Sequence, residues 1–206
     1  MAAQRRVQRR RVATRERLVR CAQALFAKHG IYQTTVEDIT EAADVGKGTF
    51  YEHFPSKIAI IRHLLHEGFE ELLSHCRREV HSAATPRERV QRLLRAQLRF
   101  FGRRRANLTL FHQVRGLLKL QPDKARSLQR EYERYVRFLS EELGAALNHL
   151  RYSPATLRRL ACAMAGFVTG YLSYLVIIGV RKDGFRDLEI PSQIFLEGIV
   201  GSGRPG

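Results

Sequence analysis

From Thr14 onward the apolar residues of this chain recur three and four positions apart, and no stretch shows the two-residue alternation of a half-buried strand. That pattern restricts the fold more than any single motif does: with only helices to build from, the chain is expected to be all-α. Its 206 residues suffice for one sizeable core or two small domains. Glycine and proline punctuate the pattern. The spacing predicts a first helix capped by Thr14, with Leu18, Ala22, Leu25 and Phe26 on its inner side and a stop at Gly30, where glycine takes the left-handed C′ conformation cheaply. A fourth helix opens at Ser56 after Pro55, buries Ile58, Ile61, Leu65, Phe69 and Leu72, and runs to about Arg78. Further helices are predicted over 86–103, 106–119, 122–150, 154–181 and 191–200. Residues 1–13 read as a mobile Arg-rich segment and 201–206 as a flexible tail.

Composition narrows the class further. Hydrophobic residues make up 44% and charged residues 27%, as in ordinary soluble proteins, and there is no secretory signal pattern. Three cysteines without a CxxC pair point to a reduced, cytoplasmic setting with the thiols wholly or partly buried. The formal charge of +16 is unevenly spread. Residues 1–20 hold eight Arg against one Glu, a net of +7; residues 21–73 hold four basic against eight acidic side chains, a net of −4. Residues 74–153 hold 18 basic and seven acidic side chains, a net of +11. The arm at 1–11 could add salt-dependent phosphate affinity, or serve only as a solubilising tail.

Between them, in Thr34 to Lys57, lies a more specific pattern. Thr35 can accept an orphan backbone N–H while Asp38 answers three residues on, a shortened capping box. Val36, Ile39 and Ala43 form an inner stripe, and Asp44 and Gly46 both tolerate the dihedrals of a tight turn. A third helix follows from about Lys47 to His53. Phe50 and Phe54 share one face and must pack inward, which leaves Lys47, Gly48, Thr49, Tyr51 and His53 for a partner. Two short helices across such a turn present one of them to the DNA major groove.

On these residues, 12–72 resemble the DNA-binding domain of the TetR family of bacterial transcription regulators. Leu25-Phe26, Gly30, Thr35-Val36, Ile39, Ala43, Val45, Gly48, Thr49, Tyr51, His53, Phe54 and Lys57 carry the likeness, with the helix-turn-helix motif at 35–54. Asp44 stands where the family usually has glycine, and Gly46 where it often has serine. The resemblance implies that Lys47 reads a base or phosphate, that backbone approaches the groove at Gly48, and that Thr49, Tyr51 and His53 contact phosphate or a thymine methyl. Thr35 and Lys57, at helix N-termini, become phosphate contacts. It also implies a homodimer on a palindromic operator, a helical effector-binding and dimerisation domain over 73–200, and release by a small-molecule effector, most simply as a repressor.

Leu160 to Val180 is a 21-residue run without a charge, with Gly166 and Gly170 in GxxxG spacing. It reads as a dimer helix whose small residues include Ala161, Ala165, Thr169 and Ser173, as a pocket wall, or as a membrane tether over 160–180. The first two readings are preferred, with no membrane partner. Candidate lining for an apolar or amphipathic effector is Phe101, Phe111, His112, Tyr135, Phe138, Met164, Phe167 and Tyr171. Arg103-Arg104-Arg105 permits an anionic amphipathic ligand such as an acyl thioester, although Arg bias in the composition explains it equally. His66-Glu67 lacks the second histidine of HExxH, and no nucleophile–base pair, metal cluster or phosphate loop stands out. The chain is therefore expected to be no enzyme and to need no cofactor or metal; a nonspecific DNA-coating protein is the remaining alternative.

Overall fold

A computed structural model describes residues 1–120, 122–177, 192–193 and 196–198. Among them every regular element is helical, as the apolar period requires. The helices are α1 (Ala2–His29), α2 (Val36–Ala42), α3 (Lys47–His53), α4 (Lys57–His81), α5 (Pro86–Arg103), α6 (Arg105–Leu120), α7 (Pro122–Ala146) and α8 (Pro154–Ile177), with a 3-10 turn at Asn148–Leu150. The predicted helix over 191–200, the last residues of 154–181 and the tail lie wholly or largely outside the described residues.

The chain forms two compact units. The first comprises Met1–Glu67 with Thr109–Gln129, and the second Gly68–Leu108 with Arg130–Gly206. The first unit therefore takes in a part of α6 and α7 that sequence order assigned to the later domain. In it α2 packs on both α1 and α3, over a core of Leu18, Ala22, Phe26, Ile39, Phe50, Phe54 and Ile61. In the second, α5 packs on α8, with Leu93, Phe101, Leu139, Met164, Val168 and Leu172 buried.

Three differences from the sequence reading have local causes. Residues 2–13 continue α1 instead of forming a mobile segment, so Thr14 lies inside a 28-residue helix. Neither Pro nor Gly interrupts those residues, and Arg, Gln and Ala are good helix formers. The helix expected over 122–150 ends at Ala146 and tightens into the 3-10 turn, after which Arg151 turns left-handed at φ 50°. On α4, Ile58 is only half-buried, whereas Ile60 and Ile61 are both buried.

Capping does much to set helix starts. Ser56 Oγ accepts from Ala59 N at 3.2 Å, as expected. Thr85 Oγ1 accepts from Glu88 N at 3.1 Å, and Glu88 Oε2 accepts from Ala84 N at 2.7 Å. Cys76 is buried and its thiol pKa is pushed up to about 12 by burial. Cys21 donates weakly to Ala42 O at 3.3 Å. Cys162, contrary to expectation, is exposed. No helix among the described residues is long and apolar enough to cross a membrane.

Candidate nucleic-acid interface

The presentation of α3 starts with α2. Thr35 Oγ1 accepts from Asp38 N at 3.1 Å and Asp38 Oδ2 accepts from Thr35 N at 2.7 Å, completing the capping box. Those two hydrogen bonds, the Thr35 backbone first, hold the Asp38 carboxyl below its ordinary pKa. At the other end Asp44 takes φ 48°, and Val45 N donates to Thr40 O at 3.0 Å. Asp44 alone supplies the left-handed corner. Gly46, expected to share that task, is an extended N-cap at φ −71° and ψ 153°, and a Cβ there would meet nothing within 4 Å. The helix α3 accordingly opens without a side-chain cap.

Phe50 and Phe54 are buried with ring centroids 6.0 Å apart, and they orient the rest of α3. Lys47 and Gly48 face solvent, Tyr51 is 49% exposed, and Thr49 and His53 are half-buried. Space around Gly48 is open. Lys47 is ion-paired with Glu37 of α2. The hydrogen bond between them raises the Lys47 pKa and lowers that of Glu37, so both stay charged and largely cancel at the start of α3. Burial, followed by the charge of Arg11, lowers the His53 pKa, and at neutral pH it offers a neutral imidazole.

Lys57 opens α4, as expected, and its ammonium is engaged within the fold. Its ammonium donates to Ile31 O at 2.8 Å and to Thr34 O at 2.9 Å, which ties the α1–α2 turn to the start of α4. Burial lowers its pKa, against the pull of Asp38. A second long-range clamp, from α6, escaped the sequence reading altogether. Gln113 Oε1 accepts from Ile31 N at 2.8 Å, beside Gly30, which at φ 85° and ψ 159° leaves the helix extended and not in the expected left-handed C′ conformation. Nothing in the local sequence marks a residue 82 positions away as the partner of that turn.

Helices α1 and α4 meet at His63. An Arg15 guanidinium nitrogen lies 3.1 Å from His63 Nε2, while its carbon is 4.9 Å from the centroid of the Phe54 ring. Glu67 Oε1 is 3.2 Å from the same His63 nitrogen. Burial, with Arg15 adding to it against Glu67, keeps the His63 pKa below its ordinary value.

The effector candidates are distributed. Phe111 and His112 belong to the first unit and the other six to the second. Tyr135 and Met164 meet at Gln97, a fully buried residue absent from the sequence reading. Tyr135 OH donates to Gln97 Oε1 at 2.5 Å, and Gln97 Nε2 donates to Leu93 O at 3.0 Å and to Met164 Sδ at 3.2 Å. Phe69 stacks on Tyr135 at 5.0 Å. Phe138 is buried beneath Arg77, with the guanidinium 5.1 Å from its ring, and Phe101 packs edge-on against Phe100. Phe167 and Tyr171 are half-buried and stack at 6.0 Å on α8. Among the described residues no group of three or more His, Cys, Asp or Glu could hold a metal ion.

Residues 18–64 match the family described as "Bacterial regulatory proteins, tetR family". The chain is 33% identical over 108 residues to the HTH-type transcriptional repressor KstR2 of Mycobacterium tuberculosis, covering 52% of this chain and 54% of that protein. It thus spans about half the length of the first curated relatives it matches. The probable acrEF/envCD operon repressor of Escherichia coli is 28% identical over 179 residues, 85% of this chain and 74% of that protein. In fold, the chain is similar to FadR from Bacillus subtilis, solved in complex with stearoyl-CoA, with a TM-score of 0.73 and 18% identity over 92% of this chain and 99% of that one. This is a family of regulators, not of enzymes. The capped α2, the Asp44 corner and the inward phenylalanines all lie within the stretch that matches the TetR family of bacterial regulatory proteins.

Proposed function

We propose that the protein is a ligand-responsive transcriptional repressor that binds a palindromic operator as a homodimer in the bacterial cytoplasm and leaves it when a small-molecule effector binds the second unit. One observation carries the reading. The phenylalanines of α3 turn inward as a pair, and this turns Lys47, Gly48 and Tyr51 outward on a helix whose first N–H groups have no side-chain cap. Lys47 would leave Glu37 to reach a base edge or phosphate; Tyr51 and Thr49 would hold phosphates, with neutral His53 as an N–H donor. Thr35 and Lys57 would act mainly by positioning, since the first caps α2 and the second clamps the turn before it.

A dimer through α8 is supported by its two faces. Ala161, Met164, Val168 and Leu172 point into the core. Gly166 and Gly170 are exposed with open space around them, close to the half-buried Phe167 and Tyr171. Backbone can approach backbone at such glycines. The effector would be apolar or amphipathic, by analogy with the stearoyl-CoA bound to the Bacillus FadR. In α4, which contributes residues to both units, ligand binding and groove reading would share one helix.

Selection of bound sequences from random DNA, followed by affinity measurement near 150 mM salt, tests this. The expected outcome is a palindromic site bound at least a thousandfold more tightly than random DNA, by a dimer. Equal affinity for all DNA would establish instead a nonspecific coat, for which the exposed Arg5, Arg6, Arg9, Arg10 and Arg11 on α1 would suffice.

A further inference from the structure

A surface cleft of about 500 Å³ lies within the second unit, between the later turns of α4 and the end of α5. Four arginines line it, Arg78, Arg99, Arg103 and Arg104, against two acidic residues, Glu70 and Glu71. With His75 neutral the lining carries a net charge of +2. The pairing leaves that surplus in one place. Glu71 pairs with Arg104, Glu70 with Arg134, and Arg99 lies 3.6 Å from Glu79 outside the cleft. Among the described residues no carboxylate pairs with Arg78 or Arg103, and both are exposed. Phe100 is the aromatic member of the lining, with the Arg104 guanidinium 5.2 Å from its ring and His75 at 6.5 Å.

We propose that this cleft binds a small phosphorylated organic molecule, with Arg78 and Arg103 holding the phosphate and the carbon framework lying toward Phe100 and His75. A guanidinium fork matches the oxygens of a phosphate, and two unpaired forks match the charge of a phosphomonoester. A carboxylate would neutralise only half of the surplus. His75 adds a neutral donor and a built-in reporter. Burial, reinforced by Arg78, Arg103 and Arg99 against Glu79, keeps its pKa below the ordinary value. A bound dianion screens those arginines and raises it.

The site is independent of the repressor reading, because binding is measured on full-length protein without DNA. The probe is 1-naphthyl phosphate, compared by calorimetry with 1-naphthoate and 1-naphthol. The expected order is phosphate at least tenfold tighter than carboxylate, with the alcohol weakest. Arg78→Gln with Arg103→Gln should weaken the phosphate at least tenfold. The charge-matched pair Arg158→Gln with Arg159→Gln, on α8 away from the cleft, should change it less than twofold. By NMR titration, the phosphate should raise the His75 pKa in the native protein and leave it unmoved in the Arg78/Arg103 variant. Undetectable binding at 10 mM, equal affinity for phosphate and carboxylate, equal loss in the two double variants, or a static His75 would each overturn the proposal.

Discussion

In the first unit, Phe50 and Phe54 face inward while Lys47, Gly48 and Tyr51 face out. In the second, Gln97 and Tyr135 face each other inside the core, with Met164 as a further partner. The first arrangement puts the side chains proposed to read DNA on the surface of an apolar frame, and the backbone of that frame is pinned by Lys57 and Gln113 at one turn. The second places polar groups where every one of them must be matched by protein. A surface reader tolerates side-chain exchange without loss of fold, whereas a buried polar cluster does not.

The largest effect should come from breaking the buried cluster. Gln97→Leu keeps the volume but removes the Oε1 that accepts from the buried Tyr135 hydroxyl, and should lower unfolding free energy by about 2 kcal/mol in urea titrations. Adding Tyr135→Phe should restore most of that loss. If the double variant is as unstable as the single one, the hydrogen bond is not what the cluster contributes.

Gly30→Ala tests the frame of the first unit. At φ 85° and ψ 159° its backbone lies in a region essentially confined to glycine, so the substitution should cost about 1–3 kcal/mol, measured the same way. The matching change Gly46→Ala should cost less, about 0.5–1 kcal/mol, because Gly46 has ordinary dihedrals and free space and only the poorer N-cap of alanine is felt.

Surface exchanges in α3 should leave stability alone and move DNA binding. Lys47→Ala is expected to weaken a selected operator by about tenfold. Glu37→Gln should act in the opposite direction, strengthening binding severalfold, because it releases Lys47 from its ion pair. Weaker binding by Glu37→Gln would mean that Glu37 itself contacts the DNA.

The smallest effect concerns pH. The lowered pKa of His63 means that the unfolded chain takes up a proton first as pH falls from its ordinary value of 6.5. Its contribution to stability is therefore complete above that value and is lost as pH drops through the folded pKa. Thermal melts between pH 8 and pH 5 should show this decline, and His63→Gln should flatten it. An unchanged slope would assign the pH dependence to other groups.

Much of the first unit was legible because its determinants are local. The capping box at Thr35 and Asp38, the Asp44 corner, the extent of α3 and the inward phenylalanines all follow from residues within a few positions of one another. Charge was the misleading signal. The Arg-rich start suggested mobility, yet its residues have good helix propensity and extend α1. In the second unit the apolar period located helices but not partners. Tyr135 and Met164 stand among many aromatic and apolar candidates, and Gln97, inconspicuous as a lone polar residue on α5, ties them together.

The sequence by itself determined the all-helical class, the positions of most breaks and the resemblance of the first helices to the TetR family, since helix period, capping and turn chemistry act over three or four residues. Tertiary structure decided the fates of the charges and amides. It committed Lys57 to two carbonyls across a loop, brought Gln113 to the Ile31 N–H, paired Lys47 with Glu37, and left Arg78 and Arg103 in one cleft with no carboxylate partner among the described residues. The physical reason is that a hydrogen bond or ion pair is specified by position in space, and residues 10 to 82 positions apart acquire that position only when helices pack.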